Sequence, residues 1–176
     1  MPVRLTPTQK GAVAELAVAY HAARLGIAVL RPLTEGLRYD LILDFGQRVC
    51  RVQCKSANVR DQVVVVRLIT CRHTPAGPVK THYGPGEVDA IAVYCPELDR
   101  CFLVPIERAT GLSQLHLRLA PARNNQQALV TMADEYDLGA IAQLGERRAG
   151  SAKVAGSSPA SSTPSPEATR TGGLWS

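Results

Sequence analysis

Asp40, Gln53 and Lys55 are residue types suited to work on a phosphate, and their spacing can bring them together. If Gly46-Gln47 forms a two-residue turn, Phe45 pairs with Arg48, and counting outward sets Asp40 directly across from Gln53. Directly opposed residues on one sheet face have Cβ atoms roughly 4.5–5.5 Å apart. Lys55 lies two residues beyond Gln53, so the alternation of a strand places it on the same face, as it does Arg51. Cys50, Val52 and Cys54 then point the other way, into a core. A carboxylate, an amide carbonyl and an ammonium thus converge on one polar patch. Hydrolysis of a phosphodiester wants such groups. A hard cation such as Mg²⁺ (or Mn²⁺) prefers oxygen ligands and often takes only one or two carboxylates from a protein. It polarises phosphate and lowers the pKa of a bound water. Lys55 is suited to stabilising the negative charge that develops, or to positioning the nucleophile. Glu15 would approach from a preceding helix, where Gly11 and Ala19, neighbours at helical spacing, are small enough for close packing on the sheet.

The elements that must position these groups are legible in the flanking pattern. Thr6-Pro7-Thr8-Gln9 reads as a capped helix start, and the Ala-rich run continues to Leu25 with Gly26 as its stop. Val13, Leu16, Ala17 and Tyr20 form an apolar stripe at helical spacing, the expected buried face. Short strands are expected at Ile27 to Leu30, across the hairpin Tyr39 to Lys55, and at Val63 to Ile69. A Pro/Gly-marked loop from Pro75 to Pro85 should follow. Strands are then expected at Val88 to Tyr94, Cys101 to Pro105 and Leu115 to Leu119, and a late helix at Gln126 to Tyr136. This order predicts an α/β or α+β domain with a mixed sheet flanked by helices.

Glu15 on a first helix, Asp40 on a strand and Gln53-Cys54-Lys55 on its partner strand resemble the PD-(D/E)XK nuclease core, a restriction-endonuclease-like fold. The runs Lys10 to Val18, Arg31 to Asp40, Arg51 to Lys55 and Glu87 to Pro105 are similar to PD-(D/E)XK endonucleases associated with group I introns, as are Arg123-Asn124-Asn125-Gln126 and Ala133 to Tyr136. The resemblance implies a catalytic set of Glu15, Asp40, Gln53 and Lys55, with Asp40, Gln53 and Glu15 toward the metal and Lys55 as the motif lysine. It also implies double-stranded DNA as substrate, and a homodimer or higher assembly, since homing requires both strands to be cut. Two departures stand out. Gln53 occupies the place of an Asp or Glu, leaving the site one negative charge short, and Tyr39 precedes Asp40 where Pro is usual. Some homing members are similar in having Gln there. A Holliday-junction resolvase, or a DNA-binding relic that has lost its metal, would share this core.

Contacts to DNA are expected of Arg51, Arg72, His73, Lys80, His82, Arg123 and Asn124, since phosphate contacts position a duplex and dominate affinity. Each has a plainer reading as a solvated charge, or, for Arg123-Asn124, as turn chemistry. Glu87 and Asp89 are either a second acidic pair or structural caps. The net charge of +5 leans only mildly toward a polyanion. Five cysteines without a CxxC pair point to reduced, buried thiols rather than a zinc site, hence a cytoplasmic protein. No apolar stretch is long enough to span a bilayer. The nuclease domain should occupy residues 1–138. From 139 to 176 Ser, Ala, Gly, Pro and Thr dominate, so this tail should be disordered. Residues 139–163 also back-translate into something resembling a tRNA gene, with Ala142 to Arg147 as D-arm, Gly156 to Pro159 as TΨC-arm and Gly150 at the anticodon. The frame is therefore expected to run through such a gene.

Overall fold

The computed structural model describes residues 4–74, 77–81, 83–84, 86–121 and 131–143. Helix α1 (Pro7–Arg24) begins as its sequence dictates: the Thr6 hydroxyl accepts from the Gln9 N–H at 3.3 Å, and the Gln9 side chain accepts from the Thr6 N–H at 2.9 Å. Gly26, with φ +75°, lies just beyond the helix end. The buried face of α1 is Ala14, Val18 and Ala22, each 0% exposed, whereas Val13, Leu16 and Tyr20 stand in solvent. The expected stripe is thus rotated off the core. Small residues face the sheet because they let a helix approach it, and bulkier apolar residues were the wrong guide.

Among the described residues nine strands follow: β1 (Ala28–Leu30), β2 (Leu41–Asp44), β3 (Val49–Arg60), β4 (Val63–Arg67), β5 (Thr70–Thr74), β6 (Gly77–Thr81), β7 (Ala90–Cys95), β8 (Arg100–Pro105) and β9 (Gln114–Arg118). The loop expected from Pro75 to Pro85 is revised here, because β6 falls within it and pairs antiparallel with β5 just before it. The long strand β3 organises everything else. Its first part pairs antiparallel with β2 and parallel with β7, and its last part, from Ala57 to Arg60, pairs with β4, which in turn pairs with β9. The sheet is therefore mixed, with β3 at a fork.

Each side of the central strands carries an apolar cluster. On the helix side Val18 and Ala22 pack with Leu43, Cys50, Val52, Cys54, Ala92 and Leu103. On the other side Ile91, Val93, Phe102 and Val104 pack with Val64, Val66, Leu115 and Leu117 of the β4–β9 wing. Strands β7 and β8, covered on both faces, accordingly read as continuous apolar runs. Burying one such side chain is worth about 1.5–3 kcal/mol, so this double core supplies the rigidity the site needs.

The late helix is also revised. Ala133–Tyr136 is a 3₁₀ turn, residues 138–143 are helical, and 122–130 lie outside the described residues. Arg100 holds this segment through Asp134 and Asp137 at 2.8 and 2.7 Å. Leu138 and Ala142 are buried against the α1 side, so ordered packing continues past the boundary expected at 138. The tRNA-like stretch lies outside the described residues from 144 onward. Among the described residues no helix is long and apolar enough to cross a membrane.

Candidate active site

The β2–β3 hairpin turns at Gly46, whose φ of +82° is open to glycine at little cost, and the Phe45 N–H donates to the Arg48 carbonyl at 2.9 Å. The resulting register pairs Leu41 with Val52, and so brings Asp40 opposite Gln53. Asp40 sits one residue before β2 begins, with its N–H on the Val52 carbonyl at 2.9 Å. Its carboxylate therefore occupies the edge where β2 gives out, accepting the Cys54 backbone N–H at 2.7 Å and the Gln53 side-chain amide. Donation through Nε2 leaves the Gln53 Oε1 as a ligand oxygen.

Glu15 projects from the half-buried flank of α1, close enough to Asp40 for the two charges to repel, and Arg31 pairs with it at 3.1 Å. Burial pushes the Glu15 carboxyl above its ordinary range, the Asp40 charge pushes it further, and Arg31 works against both. Burial likewise raises Asp40, opposed by the Cys54 N–H, Lys55, Gln53 and Arg31. Lys55 lies on the Gln53 side of β3, its ammonium 5.3 Å from the centre of the Tyr83 ring. The same ring carries the Arg38 guanidinium at 4.6 Å, and Arg38 is held by Glu87 at 3.1 Å. Tyr83 was missed from the sequence, because nothing local to His82-Tyr83-Gly84 signals that the ring returns to β3.

The structure thus brings Glu15, Asp40, Gln53 and Lys55 to one place. Arg51 differs from expectation: it is clamped by Asp89 through its backbone N–H at 2.8 Å and its guanidinium at 3.0 and 3.1 Å. Glu87 and Asp89 form no second acidic cluster, since each is paired with its own arginine. Arg72, His73 and Lys80 fall on β5 and β6, with their side chains outside the described residues, as are His82, Arg123 and Asn124. Cys50, Cys54, Cys95 and Cys101 are buried free thiols, and burial drives Cys101 up to about 12. A Cβ at Gly11 would touch nothing within 4 Å, so close helix packing does not require that glycine.

The donor set fits a hard divalent cation. Two crowded, partly desolvated carboxylates repel each other, an amide oxygen adjoins them, and Mg²⁺ commonly completes its shell with water and phosphate. Among the described residues no three His, Cys, Asp or Glu side chains cluster for a metal, as expected where Gln replaces an acid.

The sequence matches the family model for PD-(D/E)XK endonuclease over residues 5–139. The chain belongs to the PD-(D/E)XK endonuclease family. Its fold is also similar to that of I-Ssp6803I, a bacterial homing endonuclease, with 25% identity, a TM-score of 0.64, and coverage of 83% of this chain and 97% of that one. No curated protein matches this chain significantly in sequence. PD-(D/E)XK nucleases generally use divalent metals, and family and fold together support a DNA endonuclease. The mixed sheet beside α1 is the restriction-endonuclease-like core that the residue pattern implied.

Proposed function

We propose that this protein is a homing-type endonuclease, associated with a group I intron, that hydrolyses phosphodiester bonds in double-stranded DNA with Mg²⁺ or Mn²⁺. The observation that carries the reading is the Asp40 carboxylate, held by Gln53 and the Cys54 N–H beside Glu15 and Lys55. Asp40, Glu15 and the Gln53 Oε1 would hold the cation. When bound, it supplies Lewis acidity at the phosphate and an acidified water. Asp40 is fixed by two donors before any ligand arrives, so little reorganisation is needed. Lys55, steadied on the Tyr83 ring, directs positive charge at the oxygens where negative charge develops. The flanking apolar cores keep β2 and β3 from shifting, which holds the four groups in register.

Two-strand scission needs two such sites, and the described residues of one chain carry one. Self-association meets that need, and the exposed stripe of Val13, Leu16 and Tyr20 on α1 is a face suited to a second copy. The buried free thiols are in keeping with a reducing cytoplasmic setting. The tRNA-like residues 139–163 are in keeping with a mobile element seated at a tRNA gene.

The test is incubation of the full chain with a plasmid carrying the intronless tRNA locus, with and without Mg²⁺. Metal-dependent cutting confined to that locus supports the reading. Cleavage of four-way junctions instead would make it a resolvase. The missing third carboxylate favours one other reading, a DNA-binding relic, for which DNA binding without any metal-dependent cleavage is the expected result.

A further inference from the structure

The β3–β4–β9 wing presents an outward surface that the active-site chemistry leaves unused. Arg60-Asp61-Gln62-Val63 is a tight hairpin turn with both central residues at positive φ, 45° and 62°. One face of the wing is apolar and buried: Ala57, Val64, Val66, Leu115 and Leu117 are 0–3% exposed. Alternation sends Asn58, Arg60, Arg67 and Gln114 to the opposite face, where all four are exposed. This face meets the start of α1, which has no acidic residue in its first turn and contributes Lys10, with Arg4 from the segment just before the helix. The two surfaces enclose a cleft of about 670 Å³ lined by Arg4, Lys10, Lys55, Arg60 and Arg67, and by no Asp or Glu. Among the described residues Arg4, Lys10, Arg60 and Arg67 enter no ion pair. Unpaired cations facing each other repel, an arrangement that a polyanion relieves.

We infer that this cleft is the surface on which duplex DNA lies, with Arg60, Arg67 and Lys10 contacting phosphates on the way to the cleavage site. The inference rests on the nuclease reading and specifies which face of the molecule meets the substrate. Continuity decides the occupant: Lys55 and Cys54 line the cleft, while Lys55 and the Cys54 N–H also act on Asp40. A backbone entering past Arg60 and Arg67 therefore arrives at the metal-binding carboxylates without crossing an acidic surface. Asn58 and Gln114 add neutral hydrogen-bonding groups, and Val65, paired with Asn58, adds an apolar patch between the cations. Sequence reading placed the DNA contacts elsewhere, because Lys10, Arg60 and Arg67 are scattered along the chain and meet only where β3 forks.

The test compares full-length wild type with an Arg60→Ala/Arg67→Ala variant and an Arg24→Ala control from the far end of α1. Binding to duplex DNA is read by fluorescence anisotropy across a salt series without divalent metal, and thermal melting checks folding. Two lost phosphate contacts should weaken binding about tenfold or more, and lower the slope of log affinity against log salt by about 2. Arg24→Ala should match wild type, and Arg60→Lys/Arg67→Lys should keep most of the affinity. Wild-type affinity and slope in the folded double alanine variant would overturn the inference, while metal-dependent cutting abolished by Asp40→Ala would leave the nuclease reading standing. If wild type bound no duplex at all, both would fall.

Discussion

The carboxylates of Glu15 and Asp40 set the behaviour of the site at the level of single residues. Both are raised, first by burial, so the folded chain holds more protons than the unfolded chain between the ordinary carboxylate range and the raised values. The stability these groups contribute is accordingly greatest in acid and falls as pH climbs through that window. Glu15→Gln should flatten this slope and raise the melting temperature of the metal-free protein at neutral pH, measured by calorimetry, while lowering cleavage. Gln53→Glu should tighten Mg²⁺ binding by returning a negative charge, at the expense of metal-free stability because a third acid joins the repulsion. Lys55→Ala should lower cleavage about 10²–10³-fold in single-turnover assays with folding intact. The juxtaposition of Asp40 and Gln53, with Lys55 two residues on, was legible in sequence because a two-residue turn fixes a hairpin register by counting. Tyr83 and Arg31 were not assigned roles, since a contact made through a loop leaves no periodic signal.

Elements tell a similar story, with two instructive failures. The hairpin was readable from strict alternation, and the first helix from its capping box. The buried face of α1 was misread because hydrophobicity pointed to Val13, Leu16 and Tyr20, while close packing selected Ala14, Val18 and Ala22. The contrast is measurable. Leu43→Ala, at a fully buried position of β2, should cost about 2–5 kcal/mol in denaturant unfolding. Val13→Ala, on the open side of α1, should stay within about 0.5 kcal/mol at concentrations where the chain is monomeric. The pairing of β5 with β6 escaped notice because Pro75, Gly77 and Pro78 suggest a loop, although Gly77 and Pro78 themselves open β6.

At the scale of the molecule, β3 joins the two proposed roles. Its first part carries Gln53 and Lys55 to the edge proposed to hold the cation, and its last part carries Arg60 to the basic wing. Fold class followed from element order, but the fork did not, since pairing of one strand with different neighbours along its length is long-range information. The exposed α1 stripe makes a further expectation: Leu16→Asp with Tyr20→Asp should shift self-association toward monomer in light scattering, with double-strand cutting reduced more than nicking. All of this depends on Asp40 and its neighbours gripping a divalent cation. Calorimetric titration of Mg²⁺ into wild type and the folded Asp40→Ala variant is the direct measurement. Binding by wild type that disappears in the variant is the predicted result. Equal binding in both proteins, or none in either, would contradict it.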